Sequence, residues 1–270
     1  MRTTIFLGVA AVVVIALVLW STRAPSLDRH WSIDQSVLPT IEFHADTALI
    51  HGVRNFHWTS ATAFEPAWED RSYRLDQVAS VWYVLVPFAK AWRGPAHAFV
   101  SFGFDDGRYL AISVEARREA GESYGVFAGL FRRYELIYVI GDERDLIGRR
   151  AVYDGTEVYL YPMRADRAGA RALLTGMLER ANRLHDRAEF YNSITNNCTL
   201  NLVHHVNQIV PGRIPSSWRV ILPGYSDEVA QGLGLIDSTL SLAQARVRFR
   251  INDRARAAIH APDFSRQIRQ

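Results

Sequence analysis

The stretch Ala96-His97-Ala98-Phe99-Val100-Ser101-Phe102-Gly103-Phe104, then Asp105-Asp106-Gly107, then Arg108-Tyr109-Leu110-Ala111-Ile112-Ser113-Val114-Glu115-Ala116-Arg117, reads as one β-hairpin. Both arms are rich in β-branched and aromatic residues. Glycine supplies the positive φ that the tight turn needs. Burial then sets the register. A three-residue loop places Ala98, Val100 and Phe102 opposite Val114, Ile112 and Leu110, an unbroken apolar face. A two-residue Asp-Gly loop slips the pairing and puts Val100 against Ser113, which buries polar groups. The first register is therefore expected. It sets Glu115 across from His97 on the other, more polar face, beside Phe99, Ser101 and Ser113, with paired residues about 5 Å apart.

Outward from the hairpin, residues 134–141 and 157–161 read as further strands, and 40–56 as one or two. Residues 57–76 look aromatic and irregular. The apolar run in 76–91, interrupted by Pro87, has no clear type. Residues 165–184 form an amphipathic helix with Leu173, Leu174, Met177, Leu178, Ala181 and Leu184 on one face. A second helix runs from Cys198 to about Gln208, before Pro211-Gly212. A short helix (227–232) and an arginine-rich stretch (246–256) close the chain. The pattern predicts an α+β fold: an antiparallel sheet with helices packed on one side.

The first residues carry a separate signal. Residues 5–20 are uninterruptedly apolar, with Arg2 ahead and polar Ser21, Thr22 and Arg23 after. The run exceeds the roughly 7–15 residues of a signal-peptide core, and Trp20 at its end suits a membrane interface. An N-terminal transmembrane helix over residues 1–23 is the expectation, with a cleaved signal sequence as its rival. A linker (24–42), a main domain (43–225) and a helical, arginine-rich extension (226–270) follow. Either way, the remainder is exported.

Composition excludes other classes. Net charge is only +3, almost all the basic charge is arginine, and no basic run interleaved with aromatics suggests nucleic acid. No glycine-rich phosphate loop follows a strand, so no nucleotide cofactor is expected. Gly141-Asp142-Glu143-Arg144-Asp145 reads as turn and ion-pair chemistry, because no histidine or second carboxylate cluster joins it at metal-ligand spacing.

One cysteine, Cys198, stands in Tyr191-Asn192-Ser193-Ile194-Thr195-Asn196-Asn197-Cys198-Thr199. A lone thiol can form neither an internal disulfide nor a cysteine metal cluster. At a helix start, the dipole and free N–H groups favour its thiolate. Asn196 and Asn197 suit either a helix cap or an oxyanion site. A nucleophilic thiol needs a base. His205 lies two turns on, about 10 Å down the axis, and His204 is rotated off the cysteine's face. His97 is the candidate. Glu115 is then either the group that orients it or a cross-strand charge pair, and packing of the Cys198 helix on their face would decide.

These residues together resemble the Lnb N-terminal periplasmic domain family: Ala-His-Ala-Phe-Val-Ser-Phe at His97, Ile112 to Arg117, Tyr134 to Tyr138, Phe190-Tyr191-Asn192 leading to Asn196-Asn197-Cys198-Thr199, and the earlier Val53-Arg54-Asn55-Phe56. The resemblance spans roughly residues 48–210, and Asn-Asn-Cys-Thr is its most specific part. It implies a bacterial cell-envelope thiol enzyme with Cys198 as nucleophile, His97 as base and Glu115 as polar partner. The layout is also similar to circularly permuted papain-like enzymes of the NlpC and lecithin–retinol acyltransferase kind. Together with the apolar run of residues 5–20, this gives a protein expected to be single-pass in the inner membrane, held there by its N-terminal helix, with its bulk in the periplasm. It would be an acyltransferase or hydrolase acting on lipid or lipoprotein esters through a thioester, without cofactor or metal. A peptidase or amidase on cell-wall peptides and a non-catalytic binding module are the alternatives.

Overall fold

Alternating apolar strands do assemble around the hairpin. The computed structural model describes residues 22–89 and 92–270, so the expected membrane helix at 1–23 lies almost wholly outside the described residues. Among those described, no helix is long and apolar enough to cross a membrane.

The strands are β1 (Thr40–His44), β2 (Thr47–Arg54), β3 (His57–Trp58), β4 (Phe64–Glu65), β5 (Trp68–Arg74), β6 (Val78–Pro87), β7 (Ala96–Phe104), β8 (Tyr109–Arg117), β9 (Glu135–Gly141) and β10 (Tyr159–Pro162). Among the described residues, eight of them form one sheet in the order β1-β2-β9-β8-β7-β6-β10, with β5 also on β2. Pairing is antiparallel except for one parallel contact, Arg54 with Gly141. The hairpin has the expected register, with Val100 opposite Ile112 and Phe102 opposite Leu110. Gly107 takes φ 81° in its turn.

Two segments differ from the sequence expectation. Residues 68–74 form β5 rather than irregular chain. It is a mostly exposed strand held by backbone pairing to β2, so it shows little apolar alternation. The run within 76–91 is β6, paired with β7 on one side and β10 on the other. Pro87 is its last residue, where a missing N–H interrupts little.

Helices cover both faces of the sheet, not one. On the first face lie α1 (Arg167–Asp186), capped by Asp166, and α2 (Cys198–Ile209). Leu174, Met177 and Leu178 of α1 pack there with Val100, Phe102, Leu110 and Ile112. The second face (Phe99, Ala111, Ile137, Val139) is covered by a π-helix, Arg144–Tyr153, and by residues of the C-terminal region: Ala255, Ala258, Phe264 and Ile268. The reason is the strand pattern. β7 and β9 are buried along their whole length, and a sheet apolar on both sides must be covered twice.

Candidate active site

The loop before Cys198 is built by asparagines. Asn192 Oδ1 accepts the N–H groups of Ile194 at 2.9 Å and Thr195 at 3.0 Å, which curls the chain back. Asn197 is the cap of α2. Its Oδ1 accepts from Leu200 N at 2.9 Å, and its Nδ2 donates to the Ser193 and Ile221 carbonyls. Asn196 holds the Phe190 carbonyl and accepts from Asn201. The capping role thus goes to Asn197, whose two amide hydrogens are both in use. Cys198, the first residue of α2, is buried. Its sulfur sits at the positive end of the helix, where first-turn N–H groups have no intrahelical partner.

His97 is the second residue of β7, and its ring stacks on Phe99 at 5.4 Å between centroids. Phe99 belongs to the second face, whereas Cys198 packs with Ala98 and Val100 on the first. The cysteine helix therefore lies across the sheet from the histidine's face, contrary to the packing that would have decided Glu115's role. The two side chains still meet. The β7–β8 register runs from Gly103–Tyr109 only to Val100–Ile112, although both strands continue. At this opening His97 and Cys198 line one cleft, close enough that His97 and the Ala98 N–H both favour the ionised sulfur, with the Thr199 hydroxyl 3.9 Å from it.

Glu115 is joined to His97 in a way sequence spacing did not show. His97 Nε2 lies 2.6 Å from Ser113 Oγ and 3.1 Å from Glu115 Oε1. The Ser113 hydroxyl donates to the same carboxylate oxygen at 2.8 Å. With Nε2 so engaged, Nδ1 is the nitrogen left for the thiol. Arg150 of the π-helix closes the group, donating from Nη2 to Glu115 Oε1 at 2.8 Å.

The π-helix is what delivers Arg150. In an i→i+5 repeat, residues five apart stand nearly above one another, whereas an α-helix would turn them about 140° apart. So Asp145 and Arg150 both reach inward. Asp145, fully buried, accepts from Arg54 Nε (2.8 Å) and Nη2 (2.9 Å), Phe56 N (3.0 Å) and Trp58 Nε1 (2.7 Å). It pins the helix to the Val53-Arg54-Asn55-Phe56 segment. The acidic run 142–145 is ion-pair chemistry as read: Asp142 pairs with Arg71, Glu143 with Arg269 and Asp145 with Arg54.

Electrostatics follow from this geometry. Burial is the largest single influence on His97 and lowers its pKa, as does Arg150, but the Glu115 charge together with hydrogen bonding to Cys198 and Glu115 outweighs them and pushes it up to about 9. Burial alone would raise the Glu115 pKa, but His97 and Arg150 hold it well below the usual carboxylate range. Burial would likewise raise the Cys198 thiol. The hydrogen bond and charge of His97, aided by the Ala98 N–H and Thr199, bring it down instead. The same contacts therefore favour the thiolate–imidazolium form of the pair over the neutral one.

Glu115→Gln removes the charge that holds the proton on His97. Burial and Arg150 then both lower the imidazole, so the ion pair collapses to its neutral form. Alkylation of Cys198 at pH 7 is expected to slow several-fold, and its rise to move to higher pH. An unchanged rate–pH profile would leave Glu115 as a bystander.

The other histidines near the thiol in sequence do not join it. His205 is buried against the Tyr138 hydroxyl at 2.9 Å, and burial lowers its pKa to about 4.

Two spaces lie near the start of α2, and Cys198 lines the first. A cleft of about 370 Å³ opens onto Cys198, His97 and Glu115, with Arg149, Arg150 and Tyr191 on its walls. A second cavity, about 400 Å³, is mostly apolar and lined by Leu173, Leu202, Val206, Val229 and Leu235. Thr199, the neighbour of Cys198, and Tyr83 are also on its walls, the latter close enough to feel the Cys198 charge. Among the described residues, no group of histidines, cysteines and acids could hold a metal ion.

A family model for the Lnb N-terminal periplasmic domain matches residues 64–224. No curated protein and no solved structure matches the chain significantly.

Proposed function

Because the chain belongs to the Lnb N-terminal periplasmic domain family, we propose that it is a periplasmic, cysteine-dependent acyltransferase or acyl hydrolase acting on lipid or lipoprotein esters, anchored in the inner membrane by residues 1–23. The observation that carries the reading is the connected Cys198–His97–Ser113–Glu115 arrangement, closed by Arg150. A strand-borne histidine that precedes a helix-opening cysteine is also the order of a permuted papain-like core.

The Cys198 thiolate attacks the ester carbonyl, and a C–S bond forms as the carbonyl oxygen takes the charge. The N–H of Cys198 at the helix start faces that charge. Collapse breaks the C–O bond, and His97 gives its proton to the departing alkoxide, leaving a thioester. An amine or water then loses a proton to His97 as it attacks. The C–S bond breaks, the thiolate returns, and an amide or a free acid leaves.

The apolar cavity, with Thr199 beside Cys198 on its wall, supports an acyl chain as the bound group. The charged cleft favours the second reading, a peptidase or amidase on cell-wall peptides, since Arg118, Arg149, Arg150 and Asp34 line it.

Intact-mass analysis separates them. Full-length protein incubated with phospholipid vesicles or a diacylated lipopeptide is expected to gain one acyl mass on Cys198. Hydroxylamine should remove that mass, and Cys198→Ala should lack it. A chain that cleaves muropeptides but gains no acyl mass would replace the acyl reading with the peptidase one.

A further inference from the structure

Six bulky apolar side chains stand exposed on segments that meet near the Cys198 cleft, which Phe88 lines. Phe88 and Trp92 precede His97, Phe127 and Phe131 lie in the turn 124–131, Ile194 is in the cysteine loop, and Trp218 opens α3 (Trp218–Ile221). Phe127 is 81% and Phe131 63% exposed, and leaving such large apolar side chains in water is unfavourable. The segments converge through direct contacts. Phe88 lines the cleft and stands 6.1 Å from Tyr124 between ring centroids. The Ser193 hydroxyl donates to the Val126 carbonyl at 2.7 Å, and Asn197 Nδ2 to the Ile221 carbonyl at 3.1 Å. Gly224 N–H donates to the Gly94 carbonyl, which ties the loop of Trp92 to the end of α3. These rings form one rim, not scattered surface residues.

Two observations say what covers it. The turn bearing Phe127 and Phe131 runs into Arg132, whose guanidinium donates to the Arg23 carbonyl at 3.3 Å. The chain therefore enters the described structure beside this rim, directly after the apolar run of residues 5–20. Arginines also flank the rings: Arg133 is exposed although paired with Glu122, and exposed Arg219 stacks over Trp218 at 5.4 Å. Aromatic rings mixed with arginine match the interfacial zone of a bilayer with anionic headgroups.

We infer that this rim is a bilayer-contacting surface, which seats the mouth of the Cys198 cleft in the membrane interface in addition to the anchor. The contact is independent of thiol chemistry, so its test reads lipid contact and not turnover.

Full-length protein is reconstituted into phosphatidylcholine/phosphatidylglycerol vesicles containing lipids brominated near the headgroup, and tryptophan quenching is measured. The Trp92→Phe/Trp218→Phe variant is expected to show a quenched fraction roughly halved relative to the native chain. Phe127→Asp/Phe131→Asp, which keeps all tryptophans, is expected to lose the same component. Quenching that is the same in all three proteins would overturn the proposal. So would a fall in assembly mass for the aspartate variant with quenching unchanged, which would assign the rim to a second copy of the chain.

Discussion

His97→Ala is expected to slow alkylation of Cys198 by iodoacetamide roughly ten-fold or more at pH 7. In the native chain the imidazolium persists to about pH 9 because the Glu115 charge and hydrogen bonds to Cys198 and Glu115 stabilise it, and it pulls the pKa of the neighbouring thiol down. Without it, the Ala98 N–H, the Thr199 hydroxyl and the helix end oppose burial alone. The thiol then moves back toward, or above, its ordinary value, and the thiolate is a small minority at pH 7. The gain in intrinsic nucleophilicity with rising pKa recovers only part of the loss. Access works the other way, because alanine widens the cleft. A slower reaction therefore reports charge rather than shielding. His97→Gln, which roughly keeps the volume, should behave like the alanine variant. Equal rates in all three proteins would remove His97 as the base and leave Cys198 a buried small residue.

Asp145→Ala is expected to destabilise the fold by about 3–5 kcal/mol, because it strands a buried guanidinium. Arg54 keeps one partner, the Asp34 carbonyl at 2.7 Å, while the Phe56 N–H and the Trp58 indole lose their acceptor. A fall in Tm of roughly 10 °C or more follows for a domain of this size. Asp145→Asn, which preserves shape and some acceptors, should lose less. Arg54→Leu combined with Asp145→Leu should recover part of the loss, since a buried pair is often replaceable as a unit. A second consequence is local. Loosening the π-helix frees Arg150 from Glu115, so the Asn variant should alkylate Cys198 at an altered rate while still folded. A melting temperature unchanged by the alanine substitution would show that the π-helix is held by its apolar face, through Leu146 and Ile147.

The hairpin register and the start of α2 were legible in the chain because both are local problems. Period-two alternation allows one pairing of Val100 with Ile112 that buries no polar group, and an asparagine before Cys198 caps a helix wherever that helix packs. β5 was not legible, because an exposed strand held by backbone bonds has no side-chain period to show.

The sequence by itself determined that one thiol opens a helix and that His97 and Glu115 share a strand-pair face. It also marked residues 5–20 as apolar enough for a membrane. Only the tertiary structure decided that the cysteine helix lies on the opposite face and meets His97 where β7 and β8 part. Ser113 between imidazole and carboxylate, and Arg150 on a π-helix pinned through Asp145 to Arg54, belong there too. The physical reason is range. Periodicity and capping act over a few residues and leave a mark in the order of the chain. A hydrogen bond between residues 54 and 145 depends on where two distant segments are packed, and no spacing along the chain records it.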